Sequence, residues 1–146
     1  MKSCFMFGHS NCPDSMLSRI QQAIEYYYLR HGITDFYIGN RGRFDSIAAT
    51  AVQNVKKQHP DIRMYLVLAY YPSERPVDLW GGFEGSFYPP LENTPRQFAI
   101  VKANQYMVDT TDFFICYVKH IGNTRNLLAY ARRRKANDTI WNVAEE

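Results

Sequence analysis

Three short segments of this chain combine glycine with hydroxyl, amide and guanidinium side chains. They are Gly8-His9-Ser10-Asn11, Gly39-Asn40-Arg41-Gly42-Arg43 and Ile121-Gly122-Asn123-Thr124. Glycine lets a main chain approach a ligand closely, and a helix beginning at such a turn offers unpaired N–H groups and a partial positive charge. Ser10, Thr124, Asn11 and Asn123 are side chains of the kind that hold phosphate oxygens or ribose hydroxyls. Arg41 and Arg43 suit a bidentate grip on a phosphate. The chemistry that fits these residues is the holding of a phosphate or another anion. His9 is the one histidine among them, with the choice between acid–base work and plain hydrogen bonding left open. No Gly-x-Gly-x-x-Gly fingerprint and no Gly-Lys-Ser/Thr loop is present. Each segment alone reads as ordinary turn chemistry, so a site depends on the fold bringing the three together.

The elements around these turns alternate. Ser3 to Phe7 reads as a short buried strand. From Asp14 to about Arg30, Met16, Leu17, Ile20, Ala23, Ile24 and Tyr27 recur at helical spacing, and His31-Gly32 closes that helix. Thr34 to Ile38 is strand-like. A second helix after Arg43 carries Ile47, Ala48, Ala51, Val52 and Val55 on one face and stops before Pro60. Arg63 to Tyr70 reads as a third strand. A helix spans about Pro95 to Met107, with Pro95 in its first turn. Phe113 to Val118 is a fourth strand, Thr124 to about Lys135 a last helix and Thr139 to Val143 a final strand. Between Tyr71 and Thr94 the rhythm breaks into a long loop, rich in proline and aromatics, of the length that usually serves a function.

Such an alternation predicts one α/β domain over 1–146, Rossmann-like and three-layered αβα. Its sheet is expected to be five-stranded, mainly parallel and ordered 3-2-1-4-5. The ligand crevice of a doubly wound sheet lies at the carboxyl ends of the strands, where the order reverses. All three glycine segments follow strands and fall on that edge.

Bulk properties bound the function classes. Seventeen Lys and Arg against fourteen Asp and Glu give a net charge of +3, too small an excess to imply nucleic-acid binding. The start resembles no signal peptide, and no apolar run reaches the ~18 residues that span a bilayer. A cytoplasmic protein without membrane contact is expected. Cys4, Cys12 and Cys116 are an odd number with no metal-ligand spacing. Cys4 and Cys116 sit in apolar runs as small hydrophobes, while Cys12 lies in a loop and is expected to be the more exposed. Neither metal nor cofactor is expected.

The strand-end pair Cys4-Phe5-Met6-Phe7-Gly8-His9 and Gly39-Asn40-Arg41-Gly42-Arg43-Phe44-Asp45 resembles the motifs of the SLOG superfamily, which includes the Lonely Guy phosphoribohydrolases and the Smf/DNA-processing proteins. Pro95 to Met107, Asp112 to Val118, and Gly122-Asn123-Thr124-Arg125-Asn126 leading into Tyr130-Ala131 are similar to the small bacterial YpsA-like members. The resemblance covers nearly the whole chain. It implies a nucleotide-derived ligand, with Gly8, Gly39, Asp45, Arg96, Asn104, Gly122 and Thr124 at motif positions and Asp45 and Asn104 near the pocket. Asp45 is equally suited to a helix cap. Arg96, near a helix start, opposes the helix dipole unless it meets an anion.

The Lonely Guy type carries Pro-Gly-Gly-x-Gly-Thr followed closely by Glu, whereas no acid follows Thr124 here. Cleaving a ribosyl bond needs a carboxylate against an oxocarbenium-like centre. Asp45, Asp109 and Glu84 are the remaining candidates, Asp45 first, and no spacing pairs two of them. Binding or sensing of a nucleotide-type ligand is therefore the first expectation, and a nucleotide hydrolase the second. A DNA-associated protein, suggested by Arg132-Arg133-Arg134-Lys135, comes third, because a basic last turn also suits the helix dipole. The aromatics Tyr70, Tyr71, Trp80, Phe83, Phe87 and Tyr88 suit a lid over a base, packing on the core, or contact with a second copy.

Overall fold

The first strand, β1 (Ser3–Gly8), is buried on both faces, and this decides its place at mid-sheet. Cys4 and Met6 point into one helical layer, Phe5 and Phe7 into the other. A strand apolar on both sides needs a cover on each, which is the signature of a parallel α/β sheet. The computed structural model describes residues 2–69 and 82–145.

From β1 the chain runs through α1 (Leu17–His31), β2 (Asp35–Ile38), α2 (Arg43–Lys56) and β3 (Arg63–Val67) to the edge strand β4 (Gly85–Phe87). It then crosses through α3 (Ala99–Thr110) to β5 (Phe113–Tyr117), and through α4 (Asn123–Arg134) to β6 (Ile140–Asn142). The sheet order is β4-β3-β2-β1-β5-β6, and every pairing is parallel. The helices α1 and α2 pack together on one face and α3 and α4 on the other. The direction of winding reverses between β1 and β5, which makes their carboxyl ends the switch point.

Helix ends follow local chemistry. Gly32 takes the left-handed conformation (φ 69°), so its N–H reaches Tyr28 O at 3.1 Å and the Ile33 N–H reaches Tyr27 O at 3.4 Å. A single 3₁₀ turn, Asp14–Met16, precedes α1, and another, Arg96–Phe98, precedes α3. Of the triple tyrosine, Tyr27 is core while Tyr26 and Tyr28 edge outward.

Two expectations are corrected. The sheet has six strands, because the long loop contains β4. Three residues, two of them Gly and Ser, are too short for alternation to be legible; tertiary contacts make this strand. Glu84 anchors it at the amino end, its backbone N–H on Met64 O at 2.8 Å and its carboxylate on the Met64 N–H and the Lys56 ammonium. Phe87 stacks on Tyr106 and meets the Tyr37 ring edge-on. Cys12, expected to be the more exposed thiol, is buried like Cys4 and Cys116. Burial first and the Asp14 charge second push it up to about 11, with Arg43 opposing. Among the loop aromatics, Phe83 and Tyr88 pack on the core with Phe87, whereas Tyr70, Tyr71 and Trp80 lie outside the described residues.

Candidate functional site

A cavity of about 560 Å³ opens at the carboxyl ends of β1, β2 and β5, walled on one side by α3. Gly8, His9, Ser10, Gly39, Arg41, Gly42, Asp45, Asn104, Gly122, Asn123 and Thr124 all line it. Arg96 does not; it stands exposed on the 3₁₀ turn ahead of α3. Arg43 is also absent from the wall, and its Nε donates to Asp14 at 2.8 Å.

The glycines are there for different reasons. A Cβ on Gly8 falls 2.4 Å from Cγ of Phe44, so Gly8 admits the α2 ring beneath the end of β1. A Cβ on Gly42 falls 2.7 Å from Ser10 Cα, so Gly42 lets the first two strand-end loops touch, and the Arg43 N–H reaches Ser10 O at 3.0 Å. Both serve internal packing. Gly122 has nothing within 4 Å of its missing side chain, and its backbone (φ 152°, ψ −171°) is one that only glycine adopts without strain.

Two helices enter the cavity from glycine N-caps, α2 from Gly42 and α4 from Gly122. The third residue of α2 is Asp45. Its Oδ2 accepts the Arg41 N–H at 3.0 Å and the carboxyl also meets the Gly42 N–H, so α2 is capped from within by its own carboxylate. Burial drives the Asp45 carboxyl above its ordinary value, although those two amides and the Arg41 guanidinium pull it down. The third residue of α4 is Arg125, and Gly122 has no side chain with which to cap. The first-turn amides of α4 have no partner within their own helix. The glycine turns look alike in sequence, yet α2 carries a carboxylate in its first turn and α4 carries none.

The turn leading to α4 is held from two sides. Asn142 of β6 copies a strand: its Oδ1 accepts the Val118 N–H at 3.0 Å and its Nδ2 donates to Val118 O at 2.9 Å. His9 takes the next two amides, its Nε2 accepting Lys119 N–H at 2.8 Å and His120 N–H at 3.1 Å. An imidazole nitrogen that accepts two N–H groups must be unprotonated, with the ring proton on Nδ1. Burial, then the nearby His120, lowers the His9 pKa and keeps it neutral. The His120 ring stacks on His9 with centroids 3.7 Å apart and brings Nε2 to 3.4 Å from Asn11 Oδ1. His9 is thereby a positioning residue for the turn.

At the other end of the cavity, Arg41 Nη2 donates to Asn104 Oδ1 at 3.2 Å. Residues 100, 101, 104 and 105 of α3 form one helical face on the wall. Of these, Ile100, Val101 and Gln105 were missed by sequence reasoning, although their spacing carried the signal. His120 was missed too and had no local signal, being 111 residues from His9.

Of the three candidate carboxylates, only Asp45 faces the cavity. Glu84 lies at the amino edge of the sheet; burial would raise its pKa, but Lys56 and the Met64 amide outweigh that and lower it. Asp109 is near the far end of α3 and accepts the Tyr130 hydroxyl at 3.0 Å. The basic run occupies the last turn of α4, at the end away from the cavity. There Arg132 pairs with Glu145 at 3.3 Å and Arg134 with Asp109 at 3.7 Å. Among the described residues no three His, Cys, Asp or Glu side chains gather as a metal site, and no helix is long and apolar enough to cross a membrane.

Compared with known proteins, the chain matches no family model and no curated sequence.

Proposed function

We propose that the switch-point cavity binds a phosphate-bearing, nucleotide-type ligand, the phosphate resting on the amino end of α4 between Gly122 and Thr124. One observation carries this reading: of the two helices entering the cavity from glycine caps, α4 alone lacks a carboxylate of its own at its first turn. The partial positive charge there favours an anion. Ser10, Asn123 and Asn126 on the same wall add polar groups, and Ile100, Val101 and Leu127 add apolar surface for a base or sugar. The likeness to the SLOG superfamily points to the same ligand class and belongs to this proposal, as does a cytosolic setting with three reduced cysteines. Binding or sensing is preferred to ribosyl hydrolysis, because Asp45 is the only carboxylate lining the cavity among the described residues and the hydrolytic chemistry uses a pair.

The test is a thermal-shift and calorimetric titration with inorganic phosphate and a panel of 5′-nucleotides. A ligand at 100 times its Kd stabilises the fold by about 2.7 kcal/mol, a rise of roughly 5–10 °C for a domain of this size. Gly122→Ala, strained by ~1–3 kcal/mol, and Thr124→Val each weaken binding about tenfold or more while the domain stays folded. No rise with any nucleotide, or unchanged affinity in both variants, refutes the proposal.

A further inference from the structure

We infer that His9 is a proton-operated latch on the turn at residues 119–122. With a neutral ring it holds the turn in the shape that walls the cavity; protonated, it lets the turn go. The cavity therefore keeps its ligand at neutral pH and releases it in acid. This rests on the reading of the cavity as an anion site and adds the condition under which that site is assembled.

Between Tyr117, the last residue of β5, and Asn123, the first of α4, the chain borders the cavity. Asn142 holds Val118, and the next two amides, Lys119 and His120, both close on one atom, Nε2 of His9. Ile121, which is 82% exposed, and Gly122 follow. His9 itself is fixed: its main-chain N–H donates to Tyr117 O at 3.2 Å, and its ring stands edge-on to Tyr117 and stacks on His120. A proton on Nε2 puts a third N–H against two others, in a ring only 4% exposed. The ring is packed and the turn is on the surface, so the turn is the part that gives. His120, Ile121, Gly122 and Asn123 all line the cavity, and the wall and the start of α4 go with it.

Two ionisable side chains touch the ring, His120 from the turn and Tyr117 from β5. Asp45 and Arg41 line the same cavity from the α2 side, while α3 and α4 send only uncharged side chains into it. The Asp45 carboxyl is engaged by the Arg41 and Gly42 amides and by the Arg41 guanidinium. Burial first, and His120 second, hold His9 below the ordinary 6.5, so the latch is shut at pH 7 and opens only in acid. The sign sets a latch apart from simple attraction. A proton elsewhere in the cavity adds positive charge and tightens an anion, whereas a proton on this nitrogen loosens it.

The deciding measurement is an NMR titration of the wild-type protein from pH 8 to pH 5, with and without AMP, GMP, CMP or UMP. It follows the His9 imidazole and the Lys119 and His120 amides. Both amides shift with the His9 midpoint. A bound nucleotide lowers that midpoint, because a ligand held by the neutral state must favour it. In calorimetry, nucleotide affinity falls about tenfold for each pH unit below the His9 midpoint. The control is His9→Gln, whose amide oxygen accepts N–H groups and does not titrate. Each protein is referred to its own affinity at pH 8, since the phosphate's own titration near pH ~6 acts on both; the wild type falls more steeply. Amides that stay fixed while His9 titrates, a midpoint raised by nucleotide, or equal slopes in the two proteins overturn the latch and leave the anion site standing. The wild-type spectra decide alone if the variant does not fold. Absence of nucleotide binding at pH 8 overturns the site and the latch's hold on a ligand together.

Discussion

Replacing His9 by Phe isolates the acceptor role of one ring nitrogen. The aromatic ring and its place against His120 are kept, but the Lys119 and His120 amides, 2.8 and 3.1 Å from Nε2, lose their partner. An unsatisfied buried donor costs about 1–3 kcal/mol. Two part-buried amides together cost roughly 2–4 kcal/mol, since water reaches them in part. For a domain of this size that is a fall in Tm of roughly 5–15 °C at pH 8. The dependence on pH gives the sharper test. The folded state holds His9 below the ordinary histidine value of 6.5, so the unfolded chain binds the extra proton first. The stability contributed by the neutral ring is fully present above pH 6.5 and is lost as pH falls from there through the lowered folded value. A protonated Nε2 presents a donor to two donors. Calorimetric melts of wild type and His9→Phe between pH 8 and pH 5 should show a wide gap in Tm that closes toward the acid end. A gap that stays constant across this range, or an imidazole found protonated at pH 7 by NMR, refutes the account of the turn.

Other consequences are checked more simply. Gly8→Ala drives a methyl into the Phe44 ring and Gly42→Ala drives one into the Ser10 backbone; each lowers stability by about 1–3 kcal/mol in denaturant melts, whereas Gly32→Ala costs only the strain of a left-handed residue. Asn142→Ala strips both strand-like bonds from Val118 and lowers stability by about 2–4 kcal/mol, with hydrogen-exchange protection lost first at the Val118 amide. Cys12, pushed up to about 11, is almost wholly thiol at pH 8; iodoacetamide leaves the native protein unmodified and labels all three cysteines once it is unfolded, so rapid native labelling contradicts the buried placement. Neutralising Arg132 to Lys135 leaves the nucleotide binding proposed for the cavity unchanged, because that turn is at the far end of α4 from it.

Much of this molecule was legible before folding. The alternation of short apolar runs with helical periodicity required a parallel sheet under two helical layers, since strands buried on both faces have no other arrangement. That pattern also put Gly8, Gly39 and Gly122 on one edge, because every strand of a parallel sheet ends on the same side. The strand at Gly85–Phe87 was illegible, because it is too short to alternate and is held by Glu84 and by rings from elsewhere in the chain. What each site residue does was also beyond sequence. A turn lists its donors and acceptors, and protein groups compete with ligands for them; only tertiary structure decides which are already taken. Asp45 caps its own helix, and His9 accepts amides some 110 residues away. Gly42 makes room for Ser10, and α4, unlike α2, starts with no carboxylate of its own.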